Sequence, residues 1–227
     1  MENIQRIRNF FNASAHDFDS IYTAQKGRLR RFLDSHLRRD VYERYDLALE
    51  ECADIDNKNI LDVGCGSGRY CVELAKRRPA KVVGIDIAEN MLQIAKALAR
   101  KDKVEDICEF LRVDFMQHRF TRKFHISLGI GLFDYIDDPV AFIRKMREIT
   151  LEKLILTFPS KSTYRMLMRK IRYKLKNCPL YLYNQKEVEK ALAEVGLADF
   201  SIRKLSGTDN CGDFFVVSTL HDCRRSC

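Results

Sequence analysis

The residues best placed to do chemistry in this 227-residue chain lie in a glycine-rich loop. In the stretch LDVGCGSGRY, Gly64, Gly66 and Gly68 occupy every second position after a short apolar run. Glycines there let the chain turn tightly and let a ligand approach the backbone without a Cβ in the way. A helical pattern begins near Arg69, so we expect the loop to present backbone N–H groups and a helix N-terminus to a ligand.

Two carboxylates flank this loop and indicate which ligand it takes. Asp86 ends the next apolar run, where an acid can accept both hydroxyls of a ribose. A dinucleotide site requires G-x-G-x-x-G, but the third glycine position here holds Arg69 or Cys71, depending on the starting glycine. Asp62, just before the loop, would repel a pyrophosphate and attract an ammonium group. S-adenosylmethionine carries an ammonium group and a ribose and no phosphate, so the pattern favours it.

Short apolar runs alternate with helical stretches from residue 59 onward. The runs are NILDVG, KVVGID, CEFLRVD, FHISLGIG and EKLILTF, and the helical stretches begin near Arg69, Ala88 and Asp137. This alternation predicts a doubly wound α/β fold, with a parallel sheet covered on both faces. Further strands are predicted at 199–205 and 213–219, as an antiparallel pair at the sheet edge.

The two remaining parts of the chain are predicted to be helical. Residues 1–55 contain a short amphipathic segment that ends near Phe11 and a long helix from about residue 25 to residue 53. We assign 1–55 to an N-terminal lid and 56–227 to a cofactor-binding domain. A helical insertion at 160–183 interrupts that domain. Its helix carries seven basic residues and no acidic one between residues 161 and 176.

The stretch LDVGCGSGRYCVELAKRRPAKVVGIDIAENMLQIAKALA resembles the cofactor half of class I S-adenosylmethionine-dependent methyltransferases. FNASAHDFD, at 11–19, is similar to the FDxxAxxYD lid segment of small-molecule members. Within this superfamily, the chain looks most like ubiquinone-type and magnesium-protoporphyrin O-methyltransferases. The features that carry this likeness are the IY at the end of the lid, the FP after the fifth strand and the basic helix beyond it. The resemblance implies a Rossmann-like, seven-stranded, mostly parallel sheet with an antiparallel edge strand and a helical N-terminal lid.

The resemblance also implies a set of cofactor contacts. Asp114 follows the third strand, where the family uses an acid or amide to hold the exocyclic amine of adenine, and the neighbouring Phe115 would pack on the purine. Phe18, in the lid, would pack on the cofactor. The complete predicted set is Asp62, Gly64, Cys65, Gly66, Gly68, Asp86, Ile87, Met91, Asp114, Phe115 and Phe18.

Three residues are candidates for catalysis, each with a plainer alternative. Tyr22 matches a lid tyrosine of the porphyrin-methylating relatives; it would cap a sulfonium by cation–π attraction or only anchor the lid. Tyr135 lies in FDYIDDPVAFIRKM, which resembles the family segment that lines the transfer site. There it would orient a substrate oxygen or only line the wall, and many relatives carry a His at this position. His16 would act as a base or simply be exposed.

No strong general base or metal site emerges. Asp134, Asp137 and Asp138 precede a helix that has Pro in its first turn, a pattern typical of helix capping, so no metal is predicted. Methyl transfer from a sulfonium is an in-line displacement, for which alignment alone supplies about 7–11 kcal/mol. An acceptor carboxylate is ionised at pH 7 and needs no base. The pattern therefore favours transfer to an oxygen, a carboxylate or an acidic hydroxyl, of a small molecule.

The net charge of +8 leaves an RNA methyltransferase as one alternative and a non-catalytic S-adenosylmethionine-binding protein as another. The sequence argues against nucleic acid, because it has no NPPY-like segment, no Pro-Cys dipeptide and no added RNA-binding module. The basic segment 161–176 is either a solvated face or a surface that steers an anionic, partly apolar substrate or touches an acidic membrane. We expect a cytoplasmic protein with reduced cysteines, since no apolar run approaches the ~18 residues of a membrane helix.

Overall fold

A seven-stranded sheet forms the centre of the protein in a computed structural model, which describes residues 2–19, 39–161, 178–205 and 212–221. The strands are β1 Asn59–Val63, β2 Lys81–Asp86, β3 Cys108–Arg112, β4 Phe124–Gly129, β5 Thr150–Phe158, β6 Phe200–Lys204 and β7 Phe214–Thr219. Their order across the sheet is β3-β2-β1-β4-β5-β7-β6. The first five strands pair in parallel, and β7 pairs antiparallel with both β5 and β6.

The helices cover both faces of this sheet. They are α1 Glu2–Asp19, α2 Arg39–Glu51, α3 Arg69–Ala75, α4 Glu89–Lys101, α5 Pro139–Ile149 and α6 Gln185–Glu194. Successive strand side chains point to opposite faces, so Ile60 packs with α2, α3 and α4, whereas Leu61 packs with α5 and α6. The predicted α/β fold, with a doubly wound and mostly parallel sheet, is confirmed.

The strand order creates a crevice at one edge of the sheet. The chain runs outward from β1 through β2 to β3, and then returns to place β4 on the other side of β1. Because the connections leave β1 and β4 in opposite directions, a gap opens beyond the carboxyl ends of these strands. The glycine loop follows β1, and the segment that contains Tyr135 follows β4.

Helix α1 extends further than the sequence predicts. The amphipathic pattern ends near Phe11, but the helix continues to Asp19. The added turns are stabilised by tertiary contacts, because Ala15 is buried against Ala88 and Met91 at the start of α4. Tertiary packing here overrides the weak helix propensity of an Asn-, Ser- and Asp-containing segment. Of the predicted helix at 25–53, the structure describes only 39–53, and α2 occupies Arg39–Glu51.

The predicted insertion at 160–183 begins and ends at one paired site. Ser160 and Tyr183 form an isolated parallel bridge. The N–H of Lys161 donates to the carbonyl of Tyr183 at 2.9 Å, and the N–H of Tyr183 donates to the carbonyl of Pro159 at 2.8 Å. We call this pairing the 160–183 clamp. The basic helix itself lies outside the described residues, at 162–177, so its contact with substrate or membrane stays a prediction. Within the described part of the chain, no helix has the length and apolar character needed to cross a membrane.

Candidate active site

The glycine loop after β1 is held by hydrogen bonds from its own backbone. The N–H groups of Gly64 and Cys65 both donate to the carbonyl of Ile85, at the end of β2, over 2.8 and 3.0 Å. The N–H of Gly66 donates to Oδ2 of Asp86 at 3.0 Å. The expectation that the loop offers its N–H groups to a ligand is therefore wrong for these three amides. A phosphate, which needs such donors, would find them already occupied.

Gly66 and Gly68 serve different purposes in this loop. Both have positive φ, +53° and +73°. A Cβ added at Gly66 would meet no atom within 4 Å, so this position faces open space where a ligand can approach. A Cβ at Gly68 would lie 2.6 Å from Cβ of Ala95 in α4. Gly68 thus allows the start of α3 to pack closely on α4, and it does not line the cavity described next.

A cavity of about 620 Å³ lies in the crevice at the carboxyl edge of the sheet. Residues that follow β1, β2, β3 and β4 line it together with side chains from α1 and α2. Among the predicted cofactor residues with described side chains, all except Gly68 line this cavity. Its volume lies in the usual range of about 300–1,000 Å³ for a small-molecule site.

Asp62 is the most unusual charge of the cavity. It is 1% exposed, and the Cys71 thiol donates to its Oδ2 at 3.3 Å. Burial raises the pKa of Asp62 to about 7; the hydrogen bond from Cys71 opposes this rise, and the nearby Asp86 carboxylate adds to it. A cation placed beside Asp62 would favour its ionised form and would recover electrostatic energy that the ligand-free protein lacks.

Asp86 is oriented by two backbone groups at the end of β2. Its Oδ2 accepts from Gly66, and its Oδ1 accepts from the N–H of Ala88 at 2.8 Å. Burial raises the pKa of Asp86, and these backbone hydrogen bonds oppose the rise. A carboxylate oxygen can accept more than one hydrogen bond, so each oxygen of Asp86 can still accept one from a ligand. The two oxygens therefore present a fixed pair of acceptors to the cavity.

Asp114 and Phe115 begin the turn after β3 and line the same cavity. Oδ1 of Asp114 accepts from the N–H of Met116 at 2.9 Å, which closes a local turn. Phe115 is 5% exposed, and its ring centroid lies 4.6 Å from that of Phe142 and 5.7 Å from that of Phe120. Most of the Phe115 surface thus belongs to the core. Phe142, which the sequence analysis missed, lines the cavity beside it.

The predicted catalytic residues are only partly described. Tyr135 lines the cavity, is 7% exposed, and meets Phe11 of α1 edge-to-face with ring centroids 5.0 Å apart. Tyr22 lies outside the described residues, as do the side chains of His16 and Phe18, whose backbone belongs to α1.

One of the acidic residues before α5 caps the helix. Oδ1 of Asp138 accepts from the N–H of Ala141 at 2.9 Å, and Pro139 follows at the first helical position. Asp138 is therefore the N-cap of α5, as the sequence predicts. In the parts of the chain that the structure describes, no group of three or more His, Cys, Asp or Glu side chains is placed to hold a metal ion.

Helices α1 and α2 contribute cavity residues that the sequence analysis missed. From α1 come Asn3, Ile4 and Ile7, and from α2 comes Arg44. The Arg44 guanidinium lies against Gly131, after β4: a Cβ at Gly131 would be 3.4 Å from its Nη1. No local pattern identifies Arg44, because it is one charge among several on an ordinary amphipathic helix. Only the packing of α2 over the sheet edge places it in the cavity.

Comparison with known proteins identifies the family of the chain. The family model described as "Methyltransferase domain" matches residues 54–196, which include β1 to β5 and the cavity residues that follow β1 to β4. The ubiquinone biosynthesis O-methyltransferase of Neisseria meningitidis serogroup C is 36% identical over 93 residues, 40% of this chain and 39% of that protein. The chain thus spans about two fifths of the length of this curated relative.

Solved structures extend the likeness of the fold to nearly the whole chain. Magnesium protoporphyrin IX methyltransferase from Synechocystis PCC 6803, with bound SAH, superposes with a TM-score of 0.76 at 21% identity, covering 96% of this chain and all of that one. Geranyl diphosphate C-methyltransferase from Streptomyces coelicolor A3(2) gives 0.71 at 11% identity, covering 96% and 97%. These similarities concern the fold. The match of the family model over more than half of the sequence establishes that the chain belongs to the methyltransferase domain family, of which its sequence resembles the class I S-adenosylmethionine-dependent group.

Proposed function

We propose that the protein is an S-adenosylmethionine-dependent methyltransferase that acts on a small molecule. The observation that carries the proposal is the buried Asp62 under a loop in which the three successive N–H groups of residues 64–66 are already bound. This arrangement disfavours a phosphate-containing ligand and favours a cationic one. The two carboxylate oxygens of the neighbouring Asp86 suit the hydroxyls of a ribose. A nucleoside with a positively charged amino acid end satisfies both requirements.

The cavity offers a complementary group for each part of that cofactor. Asp62 would attract the ammonium group and Arg44 the carboxylate of the methionine end. Asp86 would accept from the ribose hydroxyls, and Asp114 would accept from the adenine amine. Apolar side chains complete the site, among them Ile87 and Met91. Each assignment matches charge or hydrogen-bonding type with a described side chain of the cavity.

The bound cofactor would supply an activated methyl group on a sulfonium, so the protein has to align the acceptor and exclude water. Helix α1 is placed for this role, because it lies over the cavity. Asn12 of α1 accepts from Asn90 at the start of α4, both through its side chain (3.1 Å) and through its carbonyl (3.0 Å). We propose that α1 acts as a lid and that Tyr135 and Phe11 bound the acceptor side. Tyr22, His16 and Phe18 stay predictions.

For the acceptor atom we propose an oxygen, in a carboxylate or an acidic hydroxyl. An acceptor that is already ionised at pH 7 needs no general base, so alignment and exclusion of water are enough for transfer to it. Apolar side chains of α1 and of the segment after β4 suit a partly apolar molecule; examples are Ile4, Ile7, Leu132 and Ile136. The curated relative named an O-methyltransferase supports the same choice.

Transfer of a radiolabelled methyl group tests this function. The full chain is incubated with methyl-labelled S-adenosylmethionine and either a metabolite extract or bulk RNA, and Asp86→Ala serves as the inactive control. We expect label in the small-molecule fraction, and mild alkali should release it as methanol if the acceptor is a carboxylate. Label in RNA would support the competing RNA methyltransferase. Binding of the cofactor with no transfer to either pool would support a non-catalytic protein.

A further inference from the structure

The ammonium group of Lys145 ties helix α5 to the turn after β3. Its Nζ donates to the carbonyls of Met116 and His118, each at 2.8 Å. It also lies 5.2 Å from the ring centroid of Phe115, within range of a cation–π attraction. Three contacts from one charged group fix the position of this turn relative to α5. The turn is the one that begins with Asp114.

The two residues whose carbonyls Lys145 holds also donate to Asp114 through their N–H groups. The N–H of Met116 donates to Oδ1 of Asp114 at 2.9 Å, and the N–H of His118 donates to the Asp114 carbonyl at 2.9 Å. Met116 thus links Lys145 to the Asp114 carboxylate, and His118 links Lys145 to the Asp114 backbone. Loss of the ammonium group would release both residues, and with them the position of the Asp114 carboxylate.

Charge and burial also couple Lys145 to Asp114. Burial lowers the pKa of Lys145, and the negative charges of Asp114 and Glu148 oppose the fall. A partly desolvated ammonium group is costly unless it is hydrogen-bonded, and here two carbonyls supply those bonds. Releasing the turn would leave the ammonium group without them. The two carbonyls therefore stabilise the turn in its observed arrangement.

We propose that Lys145 is a positioning residue that fixes the Asp114 carboxylate and so makes the site selective for a 6-aminopurine. The inference rests on the proposed cofactor. A fixed carboxylate accepts from the exocyclic amine of adenine and repels the oxygen that replaces this amine in hypoxanthine. If the turn is not held, the carboxylate can rotate away, and both the attraction and the repulsion weaken. Selectivity between the two purines thus reports the position of Asp114.

Calorimetry with two ligands on the full chain tests this role. S-adenosylhomocysteine and S-inosylhomocysteine differ only at the purine 6-position. The wild type should prefer S-adenosylhomocysteine. Lys145→Met should reduce that preference about tenfold, the effect expected for a lost interaction that involves a charged group, mainly by weakening the adenosyl ligand. Lys145→Arg, which can still donate to both carbonyls, should retain most of the preference.

Arg144→Met is the matched control, because Arg144 is an exposed cation at the preceding position of the same helix. It should leave both affinities unchanged. If Lys145→Met does not fold, Lys145→Gln keeps one donor and should give an intermediate preference. An unchanged preference in Lys145→Met, or an equal loss of both affinities, overturns the positioning role while the proposed function stands. A wild type that binds neither ligand overturns the proposed function, and the role of Lys145 with it.

Discussion

Replacing Asp62 by Asn should stabilise the ligand-free protein at neutral and alkaline pH while weakening its affinity for S-adenosylmethionine. Burial raises the pKa of Asp62 from its ordinary value of 3.8 to about 7. A carboxyl group with a higher pKa in the folded than in the unfolded chain binds its proton more tightly when folded. The folded state therefore loses stability as the pH rises between the two values. The loss is at most about 4 kcal/mol, nearly complete by about pH 8.

Urea unfolding of both proteins without ligand measures this loss. Asparagine has nearly the same shape, and its amide oxygen can still accept from the Cys71 thiol. We expect Asp62→Asn to be the more stable protein by about 2 kcal/mol near about pH 5 and by about 4 kcal/mol near about pH 8, because the loss in the wild type begins near the unfolded-state pKa of 3.8. Other titrating groups, which are common to both proteins, largely cancel in the difference. A difference that stays constant with pH would refute the raised pKa.

The cofactor supplies a second measurement of the same group. An ammonium group beside Asp62 favours the ionised carboxylate, so binding should release a proton below about pH 7. The affinity of the wild type should rise by up to about tenfold per pH unit from about pH 5.5 toward pH 7. Asp62→Asn should bind more weakly and lack this component of the rise. If the rise persists unchanged in the variant, Asp62 is not the group that meets the cofactor's charge.

Four further substitutions separate ligand contact from folding. Gly66→Ala should lower the free energy of unfolding by about 1 kcal/mol but sharply weaken cofactor binding. In Gly68→Ala the new Cβ would lie 2.6 Å from Ala95, so this change should cost about 3 kcal/mol of stability and affect binding mainly through folding. Thermal melts and calorimetry check this pair, and equal stability losses would contradict it. Asp86→Ala should weaken S-adenosylhomocysteine binding tenfold or more; unchanged affinity in titration, or preference for NAD, would contradict the ribose contact. Arg44→Met should weaken S-adenosylhomocysteine about tenfold and 5′-methylthioadenosine little, since the latter lacks the amino acid carboxylate; equal losses in competition binding would exclude that contact.

Most of the sheet could be predicted because buried parallel strands leave a direct record in the sequence. Each of β1, β2 and β4 is a mainly apolar run, because both faces of the sheet are covered, and each ends in or is followed by Gly or Asp, where the chain turns at the edge. Asp62 and Asp86 could be placed near one another for the same reason. The carboxyl ends of parallel strands meet at a single edge, whatever the helices do.

The missed parts of the site depend on packing between distant segments. Arg44 reaches the cavity only because α2 lies over the segment after β4, and Lys145 reaches carbonyls 27 and 29 positions before it in the chain. The sequence also cannot tell where the N–H groups of a loop are directed. The carbonyl of Ile85 takes two of them, and this follows from the pairing of β1 with β2 rather than from the glycines.

The 160–183 clamp marks a position where one inserted segment could be replaced by another. The chain leaves the sheet after β5 and returns to the same point, where Tyr183 is hydrogen-bonded to both Pro159 and Lys161. The entropy of closing such a connection changes only slowly with its length, by about 0.6 kcal/mol for each doubling. Segments of different length and composition could therefore be grafted between Lys161 and Cys178 while the sheet and its glycine loop stay intact. Such a graft would leave in place the residues that are proposed to hold the methyl donor.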